Sequence, residues 1–312
     1  MHPGQLRDGG GAGHCPHQRL AEPGRLHPGQ DRPEPIGALG VAAPEIVVEV
    51  ALVGEEQDGH AFVTIGVAST VAPMAGHRFL SAGDDRLRIG SWRGDLSTAH
   101  LTPGRGQPTP AAIAQALDEM AAGSYRAVLT AALPVTDQRA FLDAGFEVHE
   151  RLHLLVRDLA DLPHATPAVA DLRRGHQADR PAVLTVDEAA FPPFWRLDRA
   201  GLDDAMAATP TARLRVSVDR PDRSVTGYAV TGRAGPRGYL QRLAVAPDAQ
   251  SAGIGTALVV DGLRWLRRWG AKEVLVNTQE GNEAAVRLYE RLGFRLRADG
   301  LAVLRCTLVR AS

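Results

Sequence analysis

Lysine is nearly absent from this chain: Lys272 is the single one, and arginine makes up the rest of the 35 basic residues. Set against 36 acidic residues they leave a net charge of −1, without the basic excess expected of a nucleic-acid binder. Cysteine is scarce too. Cys15 and Cys306 are the only two, too few for a disulfide framework, so a reducing, cytoplasmic setting is expected. No apolar run reaches the roughly 18 residues of a membrane-spanning helix. The opening Met1-His2-Pro3-Gly4 lacks the charged-then-apolar layout of a secretory signal. What is present is ordinary: 312 residues, 44% hydrophobic and 23% charged, with room for two domains.

The chain divides into an extension, two αβ blocks and a short linker. Residues 1–76 form the extension. Its first 40 residues hold nine Gly and six Pro, too many to bury the apolar surface that would offset ordering entropy, so disorder is expected. His14, Cys15 and His17 are close together but fit no standard zinc spacing, and no metal is expected. Residues 45–53 and 61–66 read as short strands without a partner helix. Met74 follows them, and one explanation is that residues 1–73 are an upstream extension of a product that starts there, the other that they belong to it.

Residues 77–160 form the first αβ block. It has strands at Leu87–Trp92, Arg126–Leu133 and Phe146–Val156. Helices are expected at Thr109–Ala122, from an apolar stripe, and at Thr136–Ala144, closed by Gly145. Residues 161–167 read as a linker. Residues 168–312 form the second block. A helix at Asp179–Phe191, with Asp179 as its N-cap, is separated by Pro192-Pro193 from another near Leu197–Ala208. Strands follow at Arg213–Val218, Thr226–Thr231 and Gly238–Val245. The next helix has Leu258, Val259, Gly262, Leu263, Leu266 and Trp269 on one side and ends at Gly270. A strand at Glu273–Asn277, a helix at Asn282–Leu292 closed by Gly293, and a strand pair in Arg295–Leu308 complete the block.

The loop between the strand ending at Val245 and its following helix carries the strongest chemical signal. It reads Gln250-Ser251-Ala252-Gly253-Ile254-Gly255-Thr256. Glycines admit close backbone approach, and the helix start offers unpaired N–H groups and a positive dipole end, which suits a pyrophosphate. A Walker loop would need Gly-Lys-Ser/Thr, and here Thr256 directly follows Gly255. A dinucleotide fingerprint would need glycine where Leu258 stands, and a carboxylate rather than Asn277 at the end of the next strand.

The loop resembles the Gln/Arg-x-x-Gly-x-Gly/Ala segment of the GNAT acyl-CoA N-acyltransferase superfamily. Leu243-Ala244-Val245-Ala246-Pro247 resembles that family's preceding strand. Asn282 through Phe294 resembles its Asn-x-x-Ala-x-x-x-Tyr-x-x-x-Gly-Phe segment. The resemblance covers residues 168–310 and implies an α/β (α+β) fold, a mixed, splayed sheet flanked by helices. It implies acetyl-CoA as acyl donor, without a metal. The amides of Ala252, Gly253, Ile254, Gly255 and Thr256, within the loop led by Gln250 and Ser251, would meet its pyrophosphate. The backbone of Leu243 and Val245 would pair with its pantetheine arm, Asn282 would contact it, and an N–H near Val245 would polarise the thioester carbonyl.

The implied chemistry is attack of a neutral primary amine on the thioester, with Tyr289 as the general acid. The residues alone also admit Tyr289 as a packing residue. Asp187 and Glu188 lie in the helical arm that shapes the acceptor site in this family. Glu188 is the candidate base, although both also fit a solvated helix face. Gln241 stands where some relatives have a catalytic acid but cannot act as a base. Phe191 to Trp195 either walls the acceptor pocket or packs on the sheet. An acceptor amine on a small molecule, peptide or protein N-terminus is implied, with no nucleic-acid or membrane partner and a monomer or homodimer. A non-catalytic acyl-CoA-binding module is the alternative.

The first block echoes the second as a smaller, degenerate half of the same fold. Phe141-Leu142-Asp143-Ala144-Gly145-Phe146 aligns with Tyr289-Glu290-Arg291-Leu292-Gly293-Phe294, with Phe141 in place of the tyrosine and Pro134 in place of Asn282. One acetyl-CoA per chain is therefore expected. A chain starting at Met74 should keep the melting temperature and activity of the full chain. A melting temperature several degrees lower would show that residues 45–66 join the core.

Overall fold

A computed structural model of the protein describes residues 78–82, 85–93, 95–103, 107–162 and 170–308. Everything expected of residues 1–76, and most of the 161–167 linker, lies outside the described residues. In chain order the elements are β1 (Arg78–Ala82), β2 (Asp85–Trp92), β3 (Asp95–Pro103), α1 (Pro110–Ala122), β4 (Ala127–Pro134), α2 (Val135–Asp143) and β5 (Glu147–Asp158). Then come β6 (Asp171–Arg174), α3 (Arg180–Ala190), α4 (Arg199–Ala207), β7 (Thr211–Val218), β8 (Val225–Ala234) and β9 (Arg237–Val245). The last are α5 (Ile254–Arg268), β10 (Glu273–Gln279), α6 (Glu283–Arg291), β11 (Arg295–Leu296) and β12 (Leu301–Thr307).

Side-chain caps start three of the six described α-helices. Thr109 Oγ1 accepts from Ala112 N at 3.2 Å, Asp198 Oδ1 from Gly201 N at 2.7 Å and Asn282 Oδ1 from Ala285 N at 3.0 Å. Asp179 departs from expectation. It ends a 3₁₀ turn, and its carboxylate accepts from His176 N and pairs with Arg173, each at 2.7 Å, instead of capping α3 with its side chain. β3 was not expected, because its outer half, Asp95-Leu96-Ser97, is exposed and lacks an alternating pattern; its buried end is Ala99 to Pro103. Trp269, placed on the apolar side of its helix from the sequence, is half exposed because α5 has already ended at Arg268.

All twelve described strands join one sheet, in the order β1-β2-β3-β4-β12-β5-β10-β9-β8-β7-β6, with β11 also on β5. Only β3/β4 and β9/β10 pair in parallel, each across a helical crossover, α1 and α5, as parallel neighbours require. The two halves exchange their last strands. β5, which follows α2, pairs with β10 of the second half; β12, which follows α6, inserts between β4 and β5.

The echo between halves is visible in detail. Phe146 N donates to Phe141 O, and Phe294 N to Tyr289 O, both at 3.0 Å, over the left-handed Gly145 and Gly293. In both places the rings lie edge to face with centroids 5.3 Å apart. Asn282 gives α6 a side-chain cap; Pro134 gives α2 none.

Ala302, Val303 and Leu304 of β12 are fully buried and serve two core clusters on opposite faces of the sheet. A chain ending at Gly300 should therefore fail to fold cooperatively. Circular dichroism and thermal melting check this, and a sharp transition near the wild-type temperature would count against it.

Candidate active site

The site begins where β9 and β10 stop pairing. Their parallel register holds for Arg237, Gly238 and Tyr239 opposite Glu273, Val274 and Leu275, and ends there. On the other edge, β9 continues against β8 as far as Val245. Ala246 N donates to Thr226 O at 2.9 Å. That bond fixes the antiparallel alternation: Ala244 and Arg242 exchange bonds with β8, while Leu243 and Val245 turn N–H and C=O away from it, into the splay. A bulge at Gln241, between the pairs Val230–Arg242 and Thr231–Leu240, opens the strand further and turns Gln241 and Arg242 to the same face.

The 250–256 loop closes the mouth of the splay. Gly253 caps α5 in the left-handed region at φ 81°, and Ser251 also takes positive φ, 61°. No side chain caps α5, so its first amides remain available to a ligand. Gln250 Nε2 donates to Val245 O at 3.1 Å, tying the loop back to the strand end. Gln250, Ser251, Gly253, Ile254, Gly255 and Thr256 line a cavity of about 290 Å³ with Val245, Leu288 and Arg291.

Buried polar atoms without partners gather here. They are the Tyr289 hydroxyl, both amide atoms of Asn277, Thr278 Oγ1 and Asn282 Nδ2, while the unpartnered Gln241 amide lies over Gly232 of β8 and Thr231 Oγ1 faces Gly262 of α5. Each such atom costs on the order of 1–3 kcal/mol if nothing binds it, so their concentration marks a place built to receive a polar ligand. Tyr289 is fully buried, in one cluster with Leu243 and Val245. Burial pushes its hydroxyl well above the usual tyrosine value, which keeps its proton in place.

The candidate acceptor arm separates two adjacent carboxylates. Glu188 is largely exposed, 68% by side chain, and pairs with Arg196 at 3.3 Å. Asp187 is fully buried: Arg242 Nε donates to it at 2.7 Å, Leu197 N at 2.6 Å, and the Tyr228 hydroxyl donates as well. Burial pushes the Asp187 carboxyl up to about 7, against the pull of the Leu197 and Tyr228 hydrogen bonds. Arg242 also donates to Trp195 O at 3.0 Å and stacks over Phe191, 3.4 Å from the ring centroid. Phe191 and Trp195 thus pack into the core, while Phe194 stays 39% exposed.

The first half reaches this arm. Trp92 stacks on Phe194 with centroids 5.5 Å apart, and Arg93 donates to Trp195 O and Arg196 O. Sequence reasoning missed the Asp187–Arg242–Tyr228 cluster. Its signal was Asp187 on the stripe Val183, Val186, Asp187, Ala190, a carboxylate at a core position.

The residues that line the splay match the model of the acetyltransferase (GNAT) family over residues 183–294. A mycothiol acetyltransferase of Rhodococcus jostii is 32% identical over 264 residues, 72% of this chain and 85% of that protein. The chain belongs to the GNAT family. A mycothiol acetyltransferase of Parafrankia sp. is 43% identical over 85 residues, which are 27% of this chain and only 26% of that protein. A solved tandem GNAT protein from the clavulanic acid biosynthesis pathway superposes with a TM-score of 0.56 at 16% identity, covering 74% of this chain and 82% of that one; that likeness concerns the fold. Among the described residues of this GNAT chain no helix is long and apolar enough to cross a membrane, and no cluster of three or more His, Cys, Asp or Glu could hold a metal ion.

Arg242→Met would leave the Asp187 carboxylate buried without its ion-pair partner, a change that costs about 3–5 kcal/mol in comparable cases. A melting temperature lower by roughly 10 °C is expected, read by calorimetry. An unchanged melting temperature would show that the pair does not hold the arm to β9.

Proposed function

We propose that this chain is an N-acetyltransferase that moves an acetyl group from acetyl-CoA to a primary amine by direct attack. The observation that carries the reading is the splay: strand backbone with free hydrogen-bonding groups on one side, the partnerless Tyr289 hydroxyl on the other, and a helix N-terminus at the mouth. Two relatives named as mycothiol acetyltransferases support a small-molecule acceptor of the kind those proteins acetylate.

Acetyl-CoA, when bound, supplies the acetyl group as a thioester. The residues present fit it. Amides of residues 252–256 would take the pyrophosphate, with Gly253 and Gly255 permitting close approach. Leu243, by its outward N–H and C=O, and Val245, by its outward N–H, would pair with the pantetheine arm in the manner of an added strand, the Val245 C=O being held by Gln250. Gln250 serves by holding the loop to Val245, and Asn282 keeps Nδ2 free while its Oδ1 caps α6. A backbone N–H of β9 at the splay would polarise the thioester carbonyl. Tyr289 would hold, at its hydroxyl, the proton that the departing thiolate needs.

Tyr289→Phe should lower kcat on the order of 10²-fold with little change in acetyl-CoA affinity. Gly255→Glu, in contrast, should abolish acetyl-CoA binding in calorimetry. Binding without thiol release against a panel of amines would instead make the chain an acyl-CoA-binding module. Equal affinity of wild type and Gly255→Glu would reject the loop assignment.

A further inference from the structure

The exchanged strand β5 carries a second bulge. Val303 of β12 pairs with Glu150 and Leu304 with Val148, so His149 is the extra residue. A bulge of this kind turns two consecutive side chains to one face. Here that is the face of Val303, Leu152 and Trp195, the same side as the acceptor arm. His149 confirms the direction: its ring meets Phe194 edge-on at 5.0 Å.

Glu150, half buried, therefore points over the α3 side of the sheet. Gln279 of β10, opposite Leu152, donates its side-chain amide to the Glu150 carboxylate. Two residues back on β10, Asn277 shares that face, opposite Leu154, fully buried and with both amide atoms unpartnered. On the other side of the splay the bulge of β9 turns Gln241 to the same face, its amide buried, unpartnered and leaning over Gly232 of β8 beside Thr209. A polar track thus runs along the floor from the splay to a carboxylate, walled by Trp92, Phe194 and His149. Among the described residues, none satisfies the Asn277 amide at the middle of it.

Resting on the acetyl-transfer reading, we propose that this track is the acceptor subsite and that Glu150 receives the proton of the acceptor ammonium. In balanced form, the ammonium N–H bond breaks, its electron pair stays on nitrogen, and the proton passes to a Glu150 carboxylate oxygen. The neutral amine is then the nucleophile; Tyr289 gives its proton to the departing thiolate, and the second N–H proton, shed by nitrogen as the amide forms, returns to the Tyr289 oxygen. The first half, which lacks the donor-binding loop pattern, thereby contributes a catalytic residue to the second. Its surroundings suit the task. Burial raises the Glu150 carboxyl, the Gln279 hydrogen bond pulls it down, and the like charge of Glu280, just beyond β10, raises it again. His149, beside it on the bulge, has its own value lowered by burial and by Arg305 of β12.

The test uses the full chain, with acetyl-CoA, an amine panel and thiol release followed across pH. Wild type should show kcat/KM rising with pH through an acid-side ionisation. Glu150→Gln should lose at least about 10²-fold at neutral pH and lose that acid limb, with acetyl-CoA affinity and melting temperature unchanged. Glu150→Asp should recover part of the rate and restore the limb. Asn277→Ala should raise the amine KM more than it lowers kcat. A Glu150→Gln enzyme with wild-type rate or an intact acid limb overturns the proposal while leaving acetyl transfer standing. A wild-type chain that binds acetyl-CoA but acetylates no amine overturns both.

Discussion

The structure depends on where one set of hydrogen bonds ends. β9 and β10 pair for three residues and then part. Continued pairing would have satisfied the backbone of both strands and left no room for a ligand. Parting leaves the N–H and C=O of Leu243 and the N–H of Val245 in need of a partner, while Gln250 takes the Val245 C=O, and buried backbone groups rarely go without one. The bulge at Gln241, the loop tied down by Gln250 and the capless start of α5 all surround that gap. A fold that keeps such an opening must hold its strands apart from elsewhere, and here α5, α6 and the Asp187–Arg242 pair pack against them on either face.

Much of this was legible from residues. The Gln250–Thr256 loop, its strand and helix, and the Asn282–Phe294 segment lie where their spacing put them, because glycine placement, capping and the 3.6-residue stripe are local properties. The sheet order was not legible. Whether Arg295–Leu308 pairs within its own block or with the other is decided by long-range register, which no window of sequence contains. Both bulges were hidden for the same reason: a bulge is a mismatch between two strands, and His149 looks ordinary on its own.

Charge at core positions was the other blind spot. Asp187 and Glu188 are neighbours with the same side-chain chemistry, yet one is fully buried and the other faces solvent. The helical stripe distinguished them, but a carboxylate reads as surface until its partner is known. That partner, Arg242, lies on a strand 55 residues away. The aromatic run from Phe191 to Trp195 divides in the same way: Trp195 goes to the core, and Phe194 remains at the rim, stacked on the buried Trp92.

The strand exchange also bears on how the chain comes off the ribosome. β4 and β5 emerge early, but the strand that separates and joins them is made only after β6 to β11. Until β12 arrives, both present open apolar edges, which are templates for wrong pairing. β4 and β12 are about 170 residues apart in sequence, and such distant contacts form slowly. The two halves therefore cannot mature one after the other. The first must wait for the second, with strand edges open to self-association until then.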